Sequence, residues 1–445
     1  MESRTLIATD LSALVHPLQH PADHQAPVVF VEGRGAVLRD ADGREYLDGL
    51  ASLWNVNVGH GRTELADAAA AQMRKLAYAS AYVGYTNEPA VRLAERLLTR
   101  AYSNLSGVYF TTSGAESNET AFKLARYFWR RQGHPTKTRI ISRIHGYHGL
   151  TLAAMSATGM PAFHAMFQPT VPGFVHVLPS YPYRYPGSMA DAVEAAIKKE
   201  GPETVAGVLA EPVIGAGGVI VPTADYFPAV REICDRYHVL LIADEVITGF
   251  GRTGRWFALE HWGVQPDLVS FAKGVTSAYL PLGGVMVSRQ IHEAIERAPL
   301  TERFMHAATY SGHPTCCAVG LANLDVFDRE RLVERAAILG ARLQEKAQML
   351  RSLPSVGDVR GLGLMCGVEL VADKTTKAPA LGVGAKVLRE ARRRGLITRM
   401  RTGQAGEHPI GDTICIAPPL VVTEQQVDRI IDILRESIAA VTAAS

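Results

Sequence analysis

Two apolar runs in the middle of the chain each end in an ionisable residue. Residues 239–243 are followed by Asp244, and residues 268–272 are followed by Lys273. Short apolar runs of this kind predict buried strands of a parallel sheet in an α/β fold. Ligands bind at the carboxyl ends of such strands, so both side chains are predicted to face one crevice. The pattern indicates a reaction centre, although a structural ion pair or two solvated surface groups would produce the same sequence.

The neighbours of this pair favour the reaction centre. Glu245 follows the acid, and Gly274, which is expected to keep the space beside the amine open, follows the lysine. Three glycines of GFGRTG are expected to let the backbone approach a ligand: Gly249, Gly251 and Gly254. A lysine that forms an imine with a carbonyl group, paired with a carboxylate that keeps a pyridine nitrogen protonated, is the arrangement that pyridoxal phosphate requires.

Composition narrows the class of protein. A length of 445 residues predicts two domains, or a large domain with a smaller one. The 46 basic and 44 acidic residues nearly balance, so nucleic acid or an anionic membrane is not expected as a partner. Five cysteines without C-x-x-C spacing argue against a disulfide framework. With no signal pattern and no apolar run of membrane-spanning length, a cytoplasmic protein is expected.

The order of patterns along the chain predicts the fold class. Residues up to about Pro27 are expected to form an irregular arm, and residues 36–50 a hairpin that turns at Asp42-Gly43. From Arg62, helices alternate with short apolar strands, which predicts a mostly parallel central sheet between helices. The strands are predicted near residues 107–112, 138–143, 174–178, 205–210, 239–243, 268–272 and 282–288.

A second, α+β block is predicted after the central sheet. After a helix near residues 313–328, it begins with a long helical stretch over residues 329–351 and ends with a helix from Thr423. The N-terminal hairpin is expected to join it, making a smaller domain from both chain ends. The predicted parts are residues 1–59 for the arm and hairpin, 60–325 for the large domain and 326–445 for the rest of the small domain.

A candidate phosphate site follows the strand near residue 110. Ser113 and Glu116 fit the S-x-x-E capping box of a helix start, and Gly114 permits a close approach of a ligand. A phosphate could lie on this helix N-terminus, bound by the Ser113 hydroxyl and the amides of Gly114 and Ala115. An ordinary helix cap would look the same.

The sequence HGYHG, residues 145–149, follows another predicted strand. Two glycines around Tyr147 indicate a ring exposed at a strand end, where it could stack on a planar heteroaromatic cofactor. A structural role for this loop is the alternative. His145 and His148 have no carboxylate cluster nearby, so no metal is expected.

Six motifs in this order resemble the class III aminotransferases of the pyridoxal phosphate fold type I. They are SGAESNETAFKLAR, HGYHG, EPVIGAGG, ADEVITGFGRTG, FAKG and TYSGHP. The resemblance runs from about Leu18 to the last helix and is greatest to the omega-amino acid or amine:pyruvate branch. It implies a homodimer with active sites at the subunit interface, a large cofactor-binding domain and a small two-ended domain.

The resemblance also implies a role for each matching residue. Lys273 corresponds to the Schiff-base lysine and Asp244 to the partner of the pyridine nitrogen. Ser113, Gly114 and Ala115 correspond to the phosphate cup, which Thr309 reaches from the other subunit. Tyr147 corresponds to the ring that stacks on one face of the cofactor, and Val246 and Ile247 cover the opposite face. Glu211 corresponds to an acid near the cofactor.

The implied substrate pocket is aromatic and apolar. Trp54 and Tyr82 resemble its aromatic wall. Ornithine- and GABA-type members have a glutamate where this chain has Ala216, and tend to have a glutamine where it has Ile247. Both differences, like the TYSGHP stretch, leave the pocket more apolar and favour an amine donor over a dicarboxylate one.

An arginine that grips the carboxylate of the keto acid is expected after the sequence GLITR. Arg399 matches the family position, but residues 400–410 then look like an inserted, flexible loop containing Gly403 and Gly406. Arg401 lies in that loop and could serve instead. A planar guanidinium binds a carboxylate bidentately and can swing away on its long side chain; two solvated arginines are the alternative.

The predicted activity is ping-pong transfer of an amino group from an amine or omega-amino acid to a keto acid, with pyruvate favoured as the acceptor. Lys273 would act as general base and acid. Other fold type I reactions stay open, namely those of aminomutases, decarboxylases and racemases, because fold does not determine reaction. A non-catalytic protein that binds pyridoxal phosphate is a further alternative.

Overall fold

The computed structural model describes residues 2–442, which form strands and helices in the following order along the chain. The strands are β1 Phe30–Arg34, β2 Val37–Asp40, β3 Glu45–Asp48, β4 Leu105–Thr111, β5 Arg139–Arg143, β6 Phe174–Val177, β7 Val205–Ala210, β8 Leu240–Asp244, β9 Leu268–Phe271, β10 Gly283–Ser288, β11 Val356–Gly361, β12 Cys366–Asp373, β13 Ala378–Pro379, β14 Leu396–Ile397, β15 Arg399–Arg401 and β16 Thr413–Ile416. The helices are α1 Glu2–Ala13, α2 Ala51–Trp54, α3 Thr63–Lys75, α4 Glu88–Leu98, α5 Gly114–Arg131, α6 Leu152–Ala157, α7 Ala190–Glu200, α8 Tyr226–Arg236, α9 Arg289–Glu296, α10 Pro314–Glu330, α11 Leu332–Gln348, α12 Val383–Arg393 and α13 Glu424–Thr442.

Seven strands form the central sheet, in the order β4-β10-β9-β8-β7-β5-β6. Pairs from β9 through β8, β7 and β5 to β6 are parallel, whereas β10 runs antiparallel to both β4 and β9. Every residue of β7, β8 and β9 is buried, as expected for strands covered on both faces. The predicted α/β class with a mostly parallel sheet is confirmed.

Two smaller sheets lie outside the central one. In the first, β14 pairs in parallel with β3, so residues near position 396 share a sheet with the N-terminal hairpin. The second joins β11, β12, β16 and β15, with β13 paired to β12. The hairpin turns where predicted, because Asp40 Oδ1 accepts hydrogen bonds from the backbone nitrogens of Asp42 and Arg44. The boundaries near residues 59 and 325 stay predictions.

One prediction about the helices is wrong, and two others are confirmed. The arm is not irregular throughout, since α1 occupies residues 2–13. These residues lack glycine and proline, so nothing local prevents a helix. The helix predicted near residues 313–328 is α10, and the helical stretch predicted over residues 329–351 is present as α11; Arg331, with a left-handed backbone (φ 49°), separates the two. Among the described residues, no helix is long and apolar enough to span a membrane.

Candidate active site

The two strand-end residues singled out in the sequence face one cavity. Asp244 is the last residue of β8, and Lys273 follows the adjacent strand β9 by two positions. Both line a cavity of about 450 Å³ at this edge of the central sheet. The prediction of a shared crevice therefore holds, and the reason is that β8 and β9 are parallel neighbours whose carboxyl ends coincide.

Asp244 is buried, and both of its carboxylate oxygens form hydrogen bonds. Its Oδ2 lies 2.8 Å from Nδ2 of Asn118 on α5 and 2.8 Å from Nδ1 of His148. Its Oδ1 accepts a hydrogen bond from the backbone nitrogen of Val246 at 3.1 Å. The three partners fix the orientation of an acid that is only 4% exposed. The sequence analysis did not assign a role to Asn118 or His148, although Asn118 lies in the motif SGAESNETAFKLAR and His148 in the motif HGYHG.

Lys273 combines strain with burial. Its backbone is left-handed (φ 45°), a conformation that costs free energy in residues other than glycine and recurs at functional sites. Burial lowers the pKa of its amine from 10.5 to about 8, although the negative charges of Asp244 and Glu211 act in the opposite direction. An amine of this kind holds a substantial neutral fraction slightly above neutral pH, which nucleophilic and general-base chemistry both require.

The N-terminus of α5 lines the same cavity through Ser113, Gly114 and Ala115. Ser113 is the N-cap, and its Oγ accepts a hydrogen bond from the backbone nitrogen of Glu116 at 3.3 Å. The predicted capping box is only half formed, since the Glu116 carboxylate reaches back one residue further and accepts from the backbone nitrogen of Thr112 at 2.8 Å. Free amide groups and the helix dipole make this end of α5 suited to an anion.

Four more predicted residues line this cavity: Tyr147, Glu211, Val246 and Ile247. Glu211 accepts hydrogen bonds from the backbone nitrogens of Tyr147 at 3.0 Å and of Gly215 at 2.9 Å. Burial raises the pKa of Glu211, and the nearby charge of Asp244 raises it further. Glu211 therefore holds the loop that carries Tyr147 against the loop after β7.

Thr309 does not line this cavity within the described chain. It is exposed, and its backbone oxygen accepts a hydrogen bond from the hydroxyl of Tyr78 at 2.6 Å. The contribution of Thr309 to a neighbouring subunit stays a prediction.

A second cavity, of about 520 Å³, adjoins the first and shares Tyr147, Ile247 and Lys273 with it. The predicted substrate residues that line it are Trp54, Ala216, Arg399 and Arg401. Met160 and Phe163, which sequence reasoning did not single out, add apolar surface. Tyr82 lies outside both cavities and is 47% exposed. The arrangement places a mainly apolar chamber beside the lysine, with two guanidinium groups in its wall.

The two arginines differ in how firmly they are held. Arg399 is partly buried, its guanidinium lies 4.9 Å from the centre of the Trp54 ring, and no acidic group among the described residues pairs with it. Arg401 is 8% exposed and donates to Oε1 of Gln404 at 2.7 Å. Burial lowers its pKa. Arg399 is therefore the freer of the two to rotate.

The prediction that Arg401 lies in a flexible loop is wrong. Arg401 belongs to β15, where it pairs with Thr413 of β16. The loop that follows is closed by backbone hydrogen bonds between Gln404 and Ile410, at 2.8 and 3.0 Å. Asp412 Oδ1 also accepts from the backbone nitrogen of Gly403 at 2.7 Å. These bonds tie residues 403–412 into a short hairpin-like segment.

The glycines after Asp244 and Lys273 pack against protein rather than against the cavity. A Cβ atom on Gly274 would lie 2.7 Å from both Asn57 and Phe250, and one on Gly254 would lie 2.8 Å from the backbone of Ala337 on α11. Gly249 and Gly251 are likewise in contact with buried side chains. The expectation that these glycines make room for a ligand is wrong, since they allow segments of the protein to pack closely.

The fold and this pair of cavities define the class of protein. A profile of the aminotransferase class-III family matches residues 18–438, and the chain belongs to this family. It is 40% identical to the putrescine–pyruvate aminotransferase of Pseudomonas aeruginosa, over 94% of this chain and 91% of that one. It is 39% identical to the diaminobutyrate–2-oxoglutarate transaminase of Halomonas elongata, over 99% of this chain and 97% of that one.

Solved structures agree with the sequence comparison. An (S)-enantioselective omega-transaminase from Thermomicrobium roseum superposes with a TM-score of 0.92 and 44% identity, over 99% of this chain and 98% of that one. The predicted family, fold type and enzyme class are thereby confirmed: the protein is a class III aminotransferase.

Proposed function

We propose that the protein uses pyridoxal phosphate to transfer an amino group from an amine to pyruvate by a ping-pong mechanism. The proposal rests on one observation: Lys273, Asp244 and the N-terminus of α5 all line the same cavity. A lysine, a buried acid and an anion-binding helix end are the three groups that this cofactor needs from its protein.

The residues fit the cofactor. The amides at the start of α5 suit its phosphate. Gly114, whose Cβ would lie 2.8 Å from the Val246 side chain, lets the start of α5 approach Val246 closely. The carboxylate of Asp244, oriented by Asn118 and His148, suits its ring nitrogen. When bound, pyridoxal phosphate supplies an aldehyde that takes up the amino group and a protonated ring that delocalises the electrons of the broken C–H bond.

Lys273 has two roles in the proposal. Its amine is the covalent anchor of the cofactor, and once released it moves the proton at the donor carbon as base and then as acid. The lowered pKa of about 8 suits both roles, because the neutral and the charged amine are each populated near physiological pH. The negative charge of Asp244 favours the protonated form of the pyridine nitrogen.

The second cavity is the proposed substrate pocket. Trp54, Phe163, Ala216 and Ile247 give it an apolar lining, which suits the hydrocarbon part of an amine. The proposed acceptor carries a carboxylate, for which we assign Arg399. Arg399 has no acidic partner among the described residues, whereas Arg401 is held by Gln404. The name of the Pseudomonas relative, which pairs an amine with pyruvate, supports the same combination.

We also propose a homodimer with shared active sites. Thr309 and Tyr82 are both exposed and lie outside the two cavities of their own chain. In the proposed dimer, Thr309 reaches the phosphate of the neighbouring subunit and Tyr82 completes the wall of its substrate pocket.

A donor panel tests the proposed reaction. Putrescine, β-alanine, taurine and 1-phenylethylamine are each supplied with pyruvate and, separately, with 2-oxoglutarate, and the alanine or glutamate formed is measured. At least one amine is expected to give alanine with the wild-type enzyme and none with Lys273→Ala. Turnover with 2-oxoglutarate and none with pyruvate would contradict the assigned acceptor. Release of CO₂ or racemised substrate without amino transfer would favour another fold type I reaction.

A further inference from the structure

The N-terminal arm contains a cluster of metal-ligating side chains that the proposed reaction does not use. Asp10 near the end of α1 lies between His16 and His24. Nε2 of His16 is 2.9 Å from Asp10 Oδ1, and Nε2 of His24 is 2.9 Å from Asp10 Oδ2. One ligand atom from each residue lies within 4.8 Å of the others. All three side chains are partly buried.

We propose that Asp10, His16 and His24 bind a divalent transition metal such as Zn²⁺. Imidazole nitrogen and carboxylate oxygen are ligands that Zn²⁺ prefers, at about 2.0–2.1 Å. Two ligand atoms 2.9 Å apart can both lie at that distance from one ion. Three protein ligands leave the fourth position of a tetrahedral site to water.

The two histidine rings lie close together beside the carboxylate. Their centres are 3.9 Å apart, and each ring has a nitrogen 2.9 Å from a different oxygen of Asp10. The three potential ligands therefore surround one small volume, which suits a single ion.

The cluster lies next to residues that line the second cavity. Pro17 and Leu18, which follow His16 directly, line the 520 Å³ cavity together with Trp54. Leu18 is 70% exposed and has a left-handed backbone (φ 57°). A metal held by Asp10, His16 and His24 would close residues 10–24 into a loop and hold Pro17 and Leu18 against the proposed substrate pocket.

The first test is a titration of the chelator-treated holoenzyme with ZnCl₂ by isothermal calorimetry. Wild type is expected to bind one ion per subunit at this site, and His16→Ala and His24→Ala are each expected to weaken that binding by about tenfold or more. His20→Ala is the matched control, because His20 lies between the two ligands in sequence, is exposed, and its ring accepts a hydrogen bond from the backbone nitrogen of Ala22 rather than from the cluster. It is expected to bind as wild type does.

The second test follows the arm itself by hydrogen exchange. Zn²⁺ is expected to slow exchange in residues 14–24 of wild type and of His20→Ala, but not of His16→Ala. The proposal is overturned if wild type and His16→Ala bind Zn²⁺ equally, if His20→Ala loses binding as well, or if exchange in residues 14–24 does not respond to the ion. None of these measurements depends on transaminase activity, so failure here and failure of the proposed reaction are distinguishable.

Discussion

The guanidinium of Arg399 lies 4.9 Å from the centre of the Trp54 ring, at the wall of the cavity that adjoins Lys273. A cation over an aromatic face is weakly held compared with one in a buried ion pair. The contact therefore leaves Arg399 in the pocket yet free to turn toward a carboxylate or away from an apolar group.

Arg399→Ala is expected to lower kcat/KM for pyruvate by about ten- to a hundredfold, the effect of losing a charge-assisted contact worth about 1.5–3 kcal/mol. Butanal, an acceptor without a carboxylate, provides the internal control and should react nearly as with wild type. Equal losses with both acceptors would show that Arg399 supports the fold of the pocket. Normal kinetics for Arg399→Ala together with a defect confined to pyruvate in Arg401→Ala would transfer the role to Arg401.

The lowered pKa of Lys273 predicts a pH dependence for cofactor uptake. The deprotonated amine is the nucleophile, so the rate at which the apoenzyme takes up pyridoxal phosphate is expected to rise with pH through about 8. The measurement is the absorbance change on mixing at a series of pH values. Asp244→Asn removes a negative charge that raises this pKa, so its midpoint should move to lower pH. A wild-type midpoint near 10 would contradict the burial effect.

The same shift affects the stability of the apoenzyme. The pKa of Lys273 is about 8 in the fold and 10.5 for a solvated lysine, so between these values the unfolded chain binds more protons than the folded one. The contribution of Lys273 to the free energy of unfolding therefore rises with pH across this window and is constant below it. Urea denaturation of wild type and Lys273→Met at pH 7.5 and 9.5 isolates this contribution. The difference in the free energy of unfolding between the two proteins should be smaller at pH 9.5 than at pH 7.5.

Glu369 joins the central part of the chain to the C-terminal sheet. Its buried carboxylate accepts hydrogen bonds from Nε of Arg184 at 2.9 Å, from Nη1 of Arg360 at 3.0 Å and from the backbone nitrogen of Gly411 at 3.0 Å. Glu369→Gln removes the charged partner of Arg184 and one of the two charged partners of Arg360, which also pairs with Asp358. It is expected to lower the free energy of unfolding by about 3 kcal/mol, measured with urea.

A surface acid provides the control for that measurement. Glu88 pairs with Lys75 and Arg92, all three side chains are at least half exposed, and Glu88→Gln should leave the unfolding curve close to that of wild type. Because Gly411 ends the segment that follows Arg401, Glu369→Gln should also raise KM for pyruvate more than KM for butanal. A Glu369→Gln variant as stable as wild type would show that the buried carboxylate contributes no net stability.

The proposed sharing of active sites predicts complementation between two inactive variants. Lys273→Ala removes the amine, and Thr309→Asp places a negative charge where the phosphate of the neighbouring subunit would lie. A heterodimer purified by two different tags has one site with both residues intact if Thr309 acts across the interface. About half of the wild-type activity is then expected, since one of the two equivalent sites is complete. An inactive heterodimer would place Thr309 in its own subunit's site, and an active monomer in light scattering would exclude sharing altogether.

Local sequence determined much of the fold and the centre of the site. The apolar runs before Asp244 and Lys273 can be buried only as central strands, and parallel neighbours bring their ends together, so the pair was predictable from pattern alone. The start of α5 was predictable for a similar reason, because an N-cap serine is a local signal. The resemblance to known motifs then supplied roles that periodicity could not.

Tertiary structure decided the contacts between segments that are distant in sequence. Asn118 and His148 meet Asp244 only because α5 and the loop after β5 pack over the end of β8. The glycines after the two reactive residues are required by neighbouring segments such as α11, and no local signal shows which surface a glycine will meet. Arg401 became part of a strand through its pairing with Thr413. Burial and partner choice arise from the packing of the whole chain, which is why residue patterns could locate the reactive pair but not the side chains that hold it in place.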